Sequence, residues 1–142
     1  MHPFVYWRKL NLKGYQMSLI KIDGLNVLTA YMHNLNEGVA FYRDILGFEE
    51  TKNMEPGILM EHPQAEIMLY LEGERQRRES ASENFNHISF CLNASNGVND
   101  AKEKLEKAGI EIFMEYGEFD GDFAGIQFCD PSGNVIEIAG QP

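Results

Sequence analysis

Apolar and polar residues alternate along four stretches of the chain, and the alternation predicts strands. Around 25–33, Leu28, Ala30 and Met32 fall on one face, and Val27, Thr29, Tyr31 and His33 on the other. Around 65–72, Ile67, Leu69 and Leu71 oppose Glu66, Met68, Tyr70 and Glu72. Around 85–92, Ile88, Phe90 and Leu92 oppose His87, Ser89 and Cys91; around 134–139, Ile136 and Ile138 oppose Val135, Glu137 and Ala139. Each strand therefore has one wholly apolar face, suited to carrying a helix, and one mixed face that must meet water or a ligand. Shorter strands are expected at 48–53, 57–62, 110–116 and 122–129.

Two stretches switch to helical spacing. In the second, Val98, Ala101, Leu105 and Ala108 form one apolar stripe, and Asp100–Lys104 and Glu103–Lys107 are favourable i,i+4 pairs on the wet side. Ser95 or Asn96 is expected to cap it, and Gly109 to end it. The first helix is expected from about Asn36 to Leu46, with Val39, Tyr42, Ile45 and Leu46 inward and Gly47 as its stop.

The two helices belong to an internal repeat. Leu25-Asn26-Val27-Leu28-Thr29-Ala30 is similar to Phe85-Asn86-His87-Ile88-Ser89-Phe90, sixty positions later, and a Gly-Val pair follows each strand, at 38–39 and 97–98. Each unit reads strand, helix, then strands. One domain over 21–142 is expected, with module one at about 22–72, a polar linker at 73–84 and module two at about 85–140. Residues 1–20 form an N-terminal extension. Met17 is an alternative start, so residues 1–16 are a mis-assigned start, an expression remnant or a real appendage.

Composition narrows the function. Of 142 residues, 44% are hydrophobic and 24% charged, which excludes whole-chain disorder. A formal net charge of −10 repels phosphate backbones and anionic lipid surfaces, so neither nucleic acid nor membrane is expected as a partner. No apolar run approaches the roughly 20 residues that span a bilayer, and Met1 to Lys13 lacks the apolar core of a signal peptide. Cys91 and Cys129, both in strand-like apolar surroundings, read as reduced, buried thiols of a cytoplasmic protein.

The run from Asn34 to Phe48, with Phe41-Tyr42-Arg43-Asp44-Ile45-Leu46-Gly47-Phe48 at its heart, resembles the first-helix signature of the vicinal-oxygen-chelate superfamily, which comprises glyoxalase I, bleomycin-resistance proteins and extradiol dioxygenases. Asp130-Pro131-Ser132-Gly133-Asn134-Val135-Ile136-Glu137-Ile138 resembles the closing hairpin of that family. The likeness spans about Leu25 to Ala139. It implies an α+β fold of two βαβββ modules forming a curved, mostly antiparallel eight-stranded cup, with the helices on its outer face. Asp130 to Asn134 is itself a turn rather than a catalytic element: Pro131 presets φ, Asp130 accepts from amides ahead of it, and Gly133 adopts positive φ.

In metal-using relatives each module supplies a ligand from its first strand and, in the fullest sites, from its last. The repeat puts Val27 and His87 at the first-strand positions and Met68 and Glu137 at the last. Valine is no ligand, and a thioether suits soft copper rather than Zn, Ni, Mn or Fe(II). His87 and Glu137 remain as an incomplete metal site, a metal-free acid/base or ligand-anchoring pair, or a purely structural pair. A shift of register would bring His33 into play. The remaining cup wall is Thr29, Tyr31, Met68, Tyr70, Ser89, Cys91 and Phe128, with Gln127 as the alternative to Phe128. Aromatic and thioether surface with a few polar groups suits a small organic molecule. The favoured reading is a small-ligand binder with no tightly bound metal. The alternative is a divalent-metal lyase, isomerase or dioxygenase using His87 and Glu137, with Glu137 as base, and a vestigial site in a structural or regulatory dimer is the third. The resemblance also implies a homodimer.

Overall fold

The computed structural model describes residues 18–73 and 87–142; the expectations for residues 1–17 and for most of the linker lie outside them. Module one contains β1 (Leu28–Tyr31), α1 (Leu35–Asp44), β2 (Glu49–Met54), β3 (Gly57–His62) and β4 (Ile67–Glu72). Module two contains β5 (Ser89–Leu92), α2 (Val98–Lys107), β6 (Ile112–Gly117), β7 (Ala124–Cys129) and β8 (Val135–Gly140). The sheets are ordered β1-β4-β3-β2 and β5-β8-β7-β6. In each, the first strand runs parallel to the last, and the other neighbours are antiparallel. The repeat extends to detail: β2 and β6 each shift register once, between Glu50 and Lys52 and between Ile112 and Met114. The α+β fold of two βαβββ modules is the one expected.

Alternation decides which side of each sheet is buried. Ala30, Met60, Leu69 and Leu71 of module one, and Ile126, Phe128, Ile136 and Ile138 of module two, are buried on the helix-bearing sides. Val39 and Tyr42 of α1 and Val98 and Leu105 of α2 close over them. The helix ends follow local chemistry. Asn34 Oδ1 accepts from the Glu37 amide at 3.1 Å, and Gly47 and Gly109 take φ of 79° and 78° just past the two helices. Both expected ion pairs of α2 form, Lys104–Asp100 at 3.0 Å and Lys107–Glu103 at 2.9 Å.

The expected cap of α2 does not form. Neither Ser95 nor Asn96 caps it; Gly97 is the N-cap, at φ 88°, without a side-chain bond. The amides of Val98 and Asn99 donate instead to the carbonyl oxygens of Gln141 and Pro142, both at 3.0 Å. The chain itself supplies the missing acceptors. Only glycine fits beneath them, since a Cβ on residue 97 would lie 2.5 Å from the Pro142 oxygen.

The Asp130–Asn134 segment is a turn, and it also joins the modules. Asp130 is buried and accepts on Oδ1 from the amides of Ser132 (2.9 Å) and Asn134 (3.0 Å). Its Oδ2 accepts from Tyr42 Oη of α1 at 2.7 Å and from Asn134 Nδ2 at 2.9 Å. Asn134 Nδ2 also reaches the Tyr31 carbonyl at 3.2 Å, while its Oδ1 accepts from the Ile88 amide at 2.9 Å. Ser132 Oγ accepts from the His33 amide at 2.9 Å. One turn of module two thus holds the end of β1, the face of α1 and the start of β5.

Candidate functional site

Each sheet turns a mixed face away from its helix. On module two, Glu137 of β8 stands opposite Cys91 of β5 on one side and Gln127 of β7 on the other. Gln127 Nε2 donates to Glu137 Oε1 at 2.6 Å. The Cys91 thiol, opposite Glu137 on β5, and the Tyr116 hydroxyl of β6 neighbour the same carboxylate. These neighbours, the Gln127 amide foremost, hold the Glu137 carboxyl below its ordinary range. Burial and the neighbouring carboxylate push the Cys91 thiol and the Tyr116 hydroxyl up, so both keep their protons near neutrality. The cluster is one carboxylate bonded by the Gln127 amide, with two neutral neighbours, Cys91 and Tyr116.

Gly125 makes room for it. A Cβ at that position would collide with the Tyr116 ring, which lies across the sheet there and approaches Phe123 at 6.1 Å between centroids. Met114, opposite Gln127, and Phe123, beside Tyr116, are exposed next to the cluster.

His87 does not join Glu137. The β5–β8 register pairs Ser89 with Val135 and Cys91 with Glu137, which puts His87 level with Gly133. The His87 Nε2 lies 3.1 Å from where a Gly133 Cβ would stand. Four residues of strand then separate His87 from Glu137, about 13 Å at 3.3 Å per residue. Of the readings open for the two residues, a directly bonded structural pair does not fit this register: Cys91, not His87, is the residue opposite Glu137 on the first strand. In module one the register follows the expectation, since Leu28 pairs with Leu69 and Thr29 with Tyr70, which sets Val27 beside Met68.

Three further expectations change. Phe128 pairs with Ile136 on the helix-bearing face, is fully buried and approaches the Phe41 ring at 6.5 Å; Gln127 is the cup-facing residue. Cys91 and Cys129 are free but exposed, because the mixed faces that carry them are open. Tyr116 was absent from the expected wall; the register shift in β6 hides its face, and Gly125 opposite was the available signal. Thr29, Tyr31, Met68 and Tyr70 lie on the module-one face as expected, half-buried, with Tyr70 Oη donating to the Met54 carbonyl at 2.6 Å.

The donor set does not suit a hard divalent metal. Val27 offers nothing, Met68 offers a thioether, and His87 is remote from Glu137. Among the described residues no three His, Cys, Asp or Glu side chains converge.

A cleft of about 910 Å³ runs elsewhere, along the seam between the end of α1, the β3–β4 turn and α2. Its charged walls are already matched: Asp44 with Arg43 at 2.8 Å, and Asp100 with Lys104 at 3.0 Å. His62, Gln64, Asn93, Ser95 and Asn96 add neutral polar groups to its walls, and Cys91 also lines it.

The family model for the Glyoxalase/Bleomycin resistance protein/Dioxygenase superfamily matches residues 24–138, nearly all of both modules. The chain belongs to this superfamily. Among superfamily proteins it is similar to the glutathione transferase FosA of Serratia marcescens, at 24% identity over 82% of this chain and 80% of that one. Its fold is similar to the lactoylglutathione lyase of Agrobacterium tumefaciens, with TM-score 0.67, 21% identity, and 84% and 94% of the two chains covered. It is also similar to the fosfomycin resistance protein FosX of Listeria monocytogenes, with TM-score 0.63, 22% identity, and 84% and 93% covered. Superfamily members often use divalent metals and commonly form dimers. Among the described residues no helix of this member is long and apolar enough to cross a membrane.

Proposed function

We propose that this superfamily member binds a small organic molecule between the mixed faces of its modules, without a complete metal centre. The observation that carries the reading is the Glu137–Gln127–Cys91–Tyr116 cluster, flanked by exposed aromatic surface, on a face whose counterpart in module one presents Val27, Met68 and Tyr70. Apolar walls around a few oriented polar groups are the composition of a small-molecule site. A homodimer is part of the same proposal. Leu19, Ile20, Ile22, Leu25 and Val27 are exposed beside β1, an edge strand, and apolar surface of that kind calls for a partner. A second copy would bring a module-one face over a module-two face. Two exposed thiols suit a reducing, cytoplasmic setting.

The competing reading is a metal-dependent lyase, isomerase or dioxygenase using Glu137, favoured by the carboxylate standing at the last-strand position of module two. Metal analysis of unlabelled, chelator-free protein separates the two. Binding without metal is expected, with no more than trace Zn, Ni, Mn or Fe and no uptake under anaerobic conditions. A stoichiometric metal that disappears in Glu137→Ala would overturn the proposal.

A further inference from the structure

Resting on the concave face as the ligand site, the geometry points to a small organic cation, an amine or quaternary ammonium on an aromatic or apolar body, as the molecule that module two recognises. Three observations carry this. Glu137 stands between Cys91 and Gln127 on the face; the Gln127 amide that orients it and the neighbouring Cys91 and Tyr116 are all neutral, so none cancels its charge. The rest of the face is uncharged as well. From Ser89 and Cys91 on β5 to Met114 and Tyr116 on β6, strand alternation presents no lysine or arginine, and His87 stands at the far end of β5. A solvent-accessible carboxylate with no cationic side chain on its face is a site for a cation from outside.

The aromatic surroundings supply the second half of such a site. The Tyr116 ring lies across Gly125, and Phe123, 53% exposed, stands beside it with the ring planes 42° apart. An ammonium group at Glu137 can rest against the Tyr116 ring while its apolar body covers Phe123. An anion meets the opposite of each feature, and the net charge of −10 adds a long-range preference for cations.

Amide NMR of the full chain, titrated with benzylamine, benzyl alcohol and benzoate, tests this. The three share a ring and differ in charge, and about 10 mM of each would reveal even a millimolar complex. Benzylamine should shift the amides of Cys91, Tyr116, Gln127 and Glu137. Benzyl alcohol should bind at least about tenfold more weakly, and benzoate should leave these amides unmoved. Glu137→Gln, with a well-dispersed spectrum, should lose the preference for benzylamine. Tyr116→Leu, which keeps the carboxylate, should weaken benzylamine by roughly threefold and keeps the question open to refutation should Glu137→Gln not fold. Equal binding of benzylamine and benzyl alcohol, or strongest binding of benzoate, would overturn the cation assignment and leave the ligand site standing. Silence of this face toward all three would overturn both.

Discussion

The tyrosine that links α1 to the turn of module two offers a quantitative test. Tyr42 is fully buried and donates its hydroxyl to Asp130 Oδ2 at 2.7 Å. Burial, with the adjoining carboxylate, pushes its ionisation far above the ordinary tyrosine range, so it acts as a donor at every accessible pH. Tyr42→Phe removes that donor and leaves the ring in place. Asp130 Oδ2 keeps Asn134 Nδ2, at 2.9 Å, as its remaining partner. Loss of one hydrogen bond to a buried charged acceptor costs about 1.5–3 kcal/mol. For a chain of this length the unfolding entropy is roughly 0.3 kcal/mol per kelvin, so about 2 kcal/mol lowers Tm by roughly 7 °C. Tyr70→Phe is the matched control: the same hydroxyl is deleted, but its acceptor is the Met54 carbonyl on exposed β2. Water can replace it, and the cost should stay under about 1 kcal/mol. Urea unfolding of both variants, with Tm from circular dichroism, measures the difference. Equal costs, or less than about 0.5 kcal/mol for Tyr42→Phe, would refute the reasoning that this turn holds the modules together.

Other outcomes follow from the same contacts. Phe128→Ala should lose about 3–5 kcal/mol as a core cavity, while Gln127→Ala, one residue away on the opposite face, should lose only about 1 kcal/mol; denaturant titration ranks them. Gly97→Ala combines a positive φ with a collision against the Pro142 oxygen and should cost about 1–3 kcal/mol, read by thermal unfolding. The Glu137 carboxyl is held below its ordinary value, so its contribution to stability is present above pH of about 4.5 and fades as the pH falls through the lower folded value. The stability difference between the wild-type protein and Glu137→Gln should therefore be largest near neutrality, stay within about 1 kcal/mol for so accessible a group, and vanish in acid. A difference that grows toward low pH would contradict the sign.

Most of the fold was legible because burial follows alternation. Leu28, Ala30, Leu69 and Leu71 could only face a helix, and Gly47 and Gly109 could only end one. The repeat located both modules, but it did not carry the pairing register. The register differs between the modules: Leu28 pairs with Leu69 in module one, which sets Val27 beside Met68, whereas Cys91 rather than His87 pairs with Glu137 in module two, so equal places in the repeat are not equal places in the sheets. Phe128 and Gln127 were exchanged for a related reason, since a one-residue slip turns every side chain to the other face. The exposure of the thiols depends on which face lies open, and strand-like surroundings alone do not reveal that. The cap on α2 was out of reach because Gln141 and Pro142 lie more than forty residues away in the chain.

A crystal structure of the protein soaked with a mixture of small aromatic amines would locate the binding site directly. Density beside Glu137 and Gln127, with an amine nitrogen near the carboxylate and no metal between them, is the result expected from the geometry of module two. Density confined to the seam cleft between α1 and α2, or a metal ion bound by Glu137, would contradict it.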